Sequence, residues 1–167
     1  MNFYNTIAPS YDELYEQEQK KKLEIVKAYL NVKETDVLLD VGCGTGISSD
    51  FNCRVYGVDP SEGLIKLARM KYAGDDTKTF LCAYAEDLPF PDKMFDKIIS
   101  LTAAQNFKDV TKAIAELKRV AKDKAKIAIS LLKKIEPRKI EHLEHALISR
   151  FNRFKKQEEE KDFIYLI

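Results

Sequence analysis

The run VLLDV at residues 37–41, followed at once by GCGTG and soon after by RVYGVD at 54–59, constrains this chain most. A continuous apolar run of that length is the mark of a strand buried on both faces. Gly42, Gly44 and Gly46 allow left-handed backbone and let a ligand approach the main chain with no Cβ in the way. From Gly42 to Cys53 there are twelve residues in which to return to a parallel neighbour. That is close to the minimum for a crossover, so an intervening helix of about two turns is expected. The spacing is Gly-x-Gly-x-Gly. A dinucleotide fingerprint would need glycine at 47, where Ile47 stands. Asp59 falls at the carboxyl end of the second strand, where an acid can accept hydrogen bonds from both ribose hydroxyls. Its other possible role, capping the next helix, is better served by Ser61.

The remaining pattern alternates strands with helices. Ser10 and Glu13 form a Ser-x-x-Glu capping box opening a first helix, continued by Leu23, Val26, Ala28 and Leu30 to a stop near Asn31. A helix is expected over 61–71, strands over 78–84 and 95–101, and a helix over 109–120 with Val110, Ala113, Ile114, Leu117 and Val120 on one stripe. A strand over 126–132, a helix after Pro137 and a closing strand DFIYLI follow. Either a short hairpin partner lies near Asn152–Gln157, or the sheet ends one strand early. The fold class expected is α/β: a doubly wound, mostly parallel sheet of six to seven strands, helices on both faces, and an antiparallel last strand. The chain reads as one domain over 1–167, with 1–30 as an N-terminal helical lid segment.

Composition narrows the class. The 167 residues are 45% apolar and 33% charged, the profile of a soluble globular protein. No apolar run reaches the roughly 18 residues of a membrane span, and the acidic, aromatic start has no leader pattern. Cys43, Cys53 and Cys82 form no Cys-x-x-Cys pair, which suits reduced thiols in the cytoplasm. Net charge is +1 but uneven: residues 1–40 carry a surplus of three acids, and residues 118–156 a surplus of nine bases. Such a basic stretch can face nucleic acid or can be a solvated lysine face. His142 and His145, three apart in EHLEH, read as an exposed helix face, and no metal site is expected.

Four segments, YNTIAPSYD, DVGCGTG, GVDPSEGLIKLAR and AEDLPFPDKMFDKIIS, occur in order from about residue 4 onward. Together they resemble the class I S-adenosylmethionine-dependent methyltransferases, in the small group typified by quinone-biosynthesis methyltransferases. The resemblance implies S-adenosylmethionine as cofactor, S-adenosylhomocysteine as product, and no metal. It implies that Asp40, Gly42, Cys43, Gly44 and Gly46 form the turn against the methionine part, and that Asp59 holds the ribose. Ala85 and Glu86 would flank adenine, Ser100 would face the methyl group, and Tyr11, with Tyr4, would belong to a lid. Tyr84 departs from the pattern, because family members usually place an acid there; Glu86 or Asp87 would take over its role.

The segment SLTAAQNFKDV after the fourth strand bears on the acceptor. It lacks the Asn/Asp-Pro-Pro-aromatic motif of amine methyltransferases and the histidine pair of many small-molecule members. Gln105, Asn106 and Phe107 resemble the small-subunit ribosomal RNA guanine-N7 methyltransferases, where Phe107 would stack on a base and an amide would read its edge. The other reading packs Phe107 in the core and uses the amides as caps. That resemblance implies a small zinc-containing activator protein at the sheet edge, which TFLCAY should form. An RNA base is set slightly ahead of a small molecule as acceptor. A nicotinamide oxidoreductase and a non-catalytic subunit that keeps the fold are the rival readings.

Overall fold

The computed structural model describes residues 19–167. The capping box at Ser10 and Glu13, and the lid tyrosines Tyr4 and Tyr11, lie outside the described residues. Helix α1 covers residues 19–30 and stops at Asn31, whose φ of 48° ends the helical path. Strands β1 (Val37–Val41), β2 (Arg54–Asp59), β3 (Lys78–Cys82), β4 (Phe95–Ser100) and β5 (Ala121–Leu132) follow. They are interleaved with helices α2 (Glu62–Lys71) and α3 (Val110–Val120), and the chain then runs through α4 (Pro137–Phe151), β6 (Lys155–Glu158) and β7 (Asp162–Leu166).

The sheet has seven strands in the order β3-β2-β1-β4-β5-β7-β6, with β3 at one edge. Pairs among β1 to β5 are parallel; β7 runs antiparallel to both β5 and β6. The short hairpin partner of the last strand is therefore present. Strand alternation sends side chains to two faces. Leu39, Ile98 and Ile129 pack with α3 and α4, whereas Leu38, Ile99 and Ala128 pack with Val26 and Leu30 of α1. Helix α2 places Ile65 and Ala68 on Cys43 and Phe80. Both long crossover helices are capped, α2 by the expected Ser61 and α3 by Asp109. Ser61 accepts from Leu64 N at the start of α2, and Asp109 from Lys112 N at the start of α3.

Two expectations are corrected. The two-turn helix expected between Gly42 and Cys53 is absent; Ile47–Ser49 make a single 3-10 turn. Gly46 is left-handed at φ 82°, and the hydroxyls of Ser48 and Ser49 both donate to Asp40 Oδ2, at 2.6 and 2.7 Å. Serine side chains that find such partners compete with helix formation. Strand β5 also begins at Ala121, five residues before the apolar run. Its early part is charged and is held by ion pairs, Lys122 with Asp96 at 2.8 Å and Asp123 with Lys93 at 2.9 Å.

Candidate active site

β1 lies between β2 and β4. Successive strands therefore step one way from β1 and the other way from β4, and the crevice outside their carboxyl ends is where such sheets bind ligands. A cavity of about 600 Å³ opens there, within the range of small-molecule sites. Gly42, Asp59, Ala85, Glu86, Ala103 and Phe107 stand on its wall. Gly42 has φ 77°, and a Cβ on it would lie 2.3 Å from the Cβ of Ala103. The turn after β1 and the turn after β4 thus touch at a point where only glycine fits.

The Asp59 carboxylate is fixed by main chain. Oδ2 accepts from Gly44 N at 3.1 Å and Oδ1 from Ser61 N at 2.9 Å. Burial pushes its pKa up, while those two N–H groups oppose the shift. Each oxygen has a second acceptor position, so both can still take a hydroxyl. Glu86 Oε1 accepts from Lys108 N at 2.6 Å and Asp109 N at 3.1 Å, strapping the loop after β3 to the loop before α3. Above that strap the Lys108 ammonium stands 4.3 Å from the Tyr84 ring centroid, a cation–π contact at the cavity rim.

Residues 39–129 match the family described as Methyltransferase domain. The chain belongs to that methyltransferase family. It is 36% identical to an uncharacterized protein of Methanocaldococcus jannaschii over 72% of this chain and 47% of that protein. It is 32% identical to the demethylmenaquinone methyltransferase of Symbiobacterium thermophilum over 71% of this chain and 53% of the relative. The chain thus spans about half the length of the curated relatives it matches. Among solved structures it is similar to a Methanococcus maripaludis protein assigned as an S-adenosyl-L-methionine-dependent methyltransferase. The TM-score is 0.83 at 15% identity, over 100% of this chain and 94% of that one. A chain from the complex of the Haloferax volcanii Trm112 methyltransferase activator gives 0.71 at 24% identity, over 78% and 61%. At these identities the structural likeness is one of fold.

Within the methyltransferase domain, the turn residues named from sequence divide into wall and foundation. Gly42, Asp59, Ala85 and Glu86 line the cavity. Gly44 supports Asp59, and the main-chain N–H of Cys43 donates to Val58 O at 3.0 Å. Gly46 does not line the cavity: its carbonyl accepts from the Tyr72 hydroxyl at 2.9 Å, and its Cβ position faces Tyr72 and Phe80. Ser100 is fully buried and does not line the cavity; its hydroxyl has no hydrogen-bond partner among the described residues. Thr102, Ala103 and Leu132 line it instead. No local signal marked them, because the left-handed Thr102, at φ 53°, is set by long-range partners.

On the acceptor side, Gln105, Asn106 and Phe107 all line the cavity. Gln105 Nε2 donates to Thr102 O at 2.8 Å, and Phe107 is half-buried against the core. Neither amide caps α3, which Asp109 does. His142 and His145 are exposed on α4, with His142 Nε2 3.1 Å from Thr111 Oγ1. Among the described residues no group of three or more His, Cys, Asp or Glu could hold a metal ion, and no helix is long and apolar enough to cross a membrane.

Asp40 lies beneath the turn at 0% exposure, and its Oδ1 has no hydrogen-bond partner among the described residues. Burial raises its pKa to about 6, against the two serine hydroxyls, with Asp59 adding to the rise. Its ordinary value is 3.8, so the folded chain binds more protons than the unfolded one between pH 4 and 6. The contribution of Asp40 to stability therefore falls as pH rises through that window, leaving a cost of about 3 kcal/mol at pH 7. Asp40→Asn is expected to be more stable than the parent at pH 7 and no more stable at pH 4, as read by urea unfolding. A parent whose stability rises from pH 4 to 6, with Asp40→Asn doing the same, would contradict this.

Proposed function

We propose that this chain binds S-adenosylmethionine in the 600 Å³ cavity and transfers its methyl group to a small molecule. The observation that carries the proposal is Asp59, presented on the cavity wall with both carboxylate oxygens held by main chain and each able to accept a ribose hydroxyl. The glycine cradle at Gly42 and the adjoining Ala85–Glu86 corner fit the methionine and adenine parts. Bound there, the cofactor supplies a methyl group activated by the positive charge on sulfur. The residues then have to orient. Asp59 fixes the ribose, Ala85 and Glu86 bracket the base beside Tyr84, and Gln105, Asn106 and Phe107 stand on the acceptor side. Orientation of this kind is worth roughly 7–11 kcal/mol.

The carboxylates on the cavity wall, Asp59 and Glu86, are both committed to main-chain N–H groups. That favours an acceptor atom with a ready lone pair. A small molecule is supported over RNA by the placement of the basic stretch. Lys122, Lys133 and Lys156 are paired with Asp96, Glu158 and Glu144, and Lys118 stands over Phe151, so part of the basic stretch is already engaged within the fold. Similarity to demethylmenaquinone and 2-phytyl-1,4-naphtoquinone methyltransferases points the same way. An RNA base remains the second reading, favoured by Phe107 with exposed Asn106 at the cavity. Labelled methyl recovered in total RNA, and lost on RNase treatment, would select it. An activator protein on the edge strand β3 belongs to the same proposal, supported by the likeness to the Trm112-bound fold. Purification of the chain as a stable, active monomer would remove it.

The test is titration calorimetry with S-adenosylmethionine, S-adenosylhomocysteine and NAD. We expect micromolar binding of the first two, weakened at least a hundredfold in Asp59→Ala. Binding of NAD alone would replace methyl transfer with a nicotinamide function, and binding unchanged in Asp59→Ala would remove the ribose role.

A further inference from the structure

A second, smaller cavity of about 190 Å³ lies beside the first, between the turn after β4 and the parallel pair α3 and α4. The two share Gln105, Phe107 and Lys108 as a common wall. The floor of the smaller one is apolar, made by Val110, Leu131, Ile135 and Leu143. Apart from the Gln105 amide, its polar lining is cationic or basic: Lys108, Lys139 and His142, with no carboxylate among the lining residues.

The acids nearest its shared wall are already committed. Glu86 is tied to the main-chain N–H groups of Lys108 and Asp109, and the Asp109 carboxylate caps α3 through Lys112 N. Among the described residues the Lys108 ammonium meets the face of Tyr84. Lys139 Nζ makes, among the described residues, one long contact, 3.5 Å to Gln105 O, leaving capacity among its three N–H donors. An apolar floor with ammonium groups at its rim that meet no carboxylate among the described residues binds a compact apolar body that ends in an anion. Charge-assisted hydrogen bonds to a carboxylate are about twice as strong as neutral ones. The shared wall brings such a ligand next to the donor cavity, with Phe107 between the two spaces.

We propose that this cavity is the acceptor seat, and that the acceptor is a small apolar molecule bearing a carboxylate, held by Lys139 and Lys108 with its apolar body on Leu131 and Leu143. This rests on the methyl-transfer reading for its purpose, but the seat itself can be tested without turnover. The neighbouring RNA reading would instead need the lysines to meet phosphate, and the cavity is too small to take a nucleotide whole.

The experiment is calorimetric titration of the purified chain, with and without S-adenosylhomocysteine, using benzoate, 4-hydroxybenzoate and indole-3-acetate, each against its neutral amide. At least one carboxylate is expected to bind tenfold or more tightly than its amide. Lys139→Ala, an exposed position, is expected to erase that preference, and Lys108→Ala to reduce it. The proposal is overturned if no carboxylate binds, if acids and amides bind alike, or if the preference survives in the Lys139→Ala/Lys108→Ala double variant. Carboxylate binding by a chain that takes no S-adenosylhomocysteine would uphold the seat and sink the methyl-donor reading, so the two failures are distinguishable.

Discussion

Gly42→Ala is expected to lower affinity for S-adenosylhomocysteine by at least a hundredfold while leaving a folded, destabilised chain. The residue has φ 77°, and the new methyl group would sit 2.3 Å from Ala103 Cβ. Left-handed backbone on a residue with a side chain costs about 1–3 kcal/mol, and forcing an extra carbon into a filled space about 1–3 kcal/mol more. Ala103 cannot retreat freely, because Thr102 N donates to both Ser130 O and Ser130 Oγ, at 3.1 and 2.9 Å. Relief must come from moving the turn after β1 or the turn after β4, and both form the cavity wall. Gly74→Ala supplies the control: its φ is 89°, but nothing lies within 4 Å of the added carbon. That variant should lose stability through backbone strain alone and bind normally. Urea unfolding and calorimetry on both variants separate strain from the clash, and equal binding losses in the two would refute the argument.

The second large effect concerns Lys22 of α1 and Asp162 of β7. Their charged groups lie 2.7 Å apart, with side chains 3% and 1% exposed. Thr102 joins them: its hydroxyl donates to Asp162 Oδ2 at 3.0 Å and accepts from Lys22 Nζ and from Gln19 Nε2. Removing one partner leaves the other charge buried alone, at a cost of about 3–5 kcal/mol. In a domain of this length that corresponds to a fall in Tm on the order of 10 °C. Asp162→Ala and Lys22→Met are each expected to show it by scanning calorimetry. The double variant Lys22→Met/Asp162→Leu should recover most of the loss, since apolar replacement of a buried pair is often neutral. Additive losses in the double variant would show that packing, rather than uncompensated charge, sets the cost. Because Thr102 lines the cavity, the single variants should also weaken cofactor binding.

The extent to which the site was legible in the sequence follows from how far apart its parts lie along the chain. VLLDV, the glycines after it, Asp59 and Ser61 fall within a stretch where strand, turn and cap are decided by neighbours. Their placement by pattern agrees with β1, β2 and the Ser61 cap of α2. The apolar stripe of α3 was equally local. The missing first crossover helix was not, because it depended on Ser48 and Ser49 turning back to a buried acid eight and nine residues earlier. Gly46 looked like its two companions and yet serves Tyr72, the residue that ends α2.

The sequence by itself determined the order and type of most elements, the sheet class, and an acid at the end of β2. Each of these follows from periodicity and turn chemistry over a few residues. Only the tertiary structure decided which glycine must stay bare, that Lys22 and Asp162 meet across Thr102, and that a cationic second cavity adjoins the first. The first two join residues separated by 60 positions or more, and the third joins the turn after β4 to α4; one-dimensional pattern carries no record of contacts made when distant segments pack.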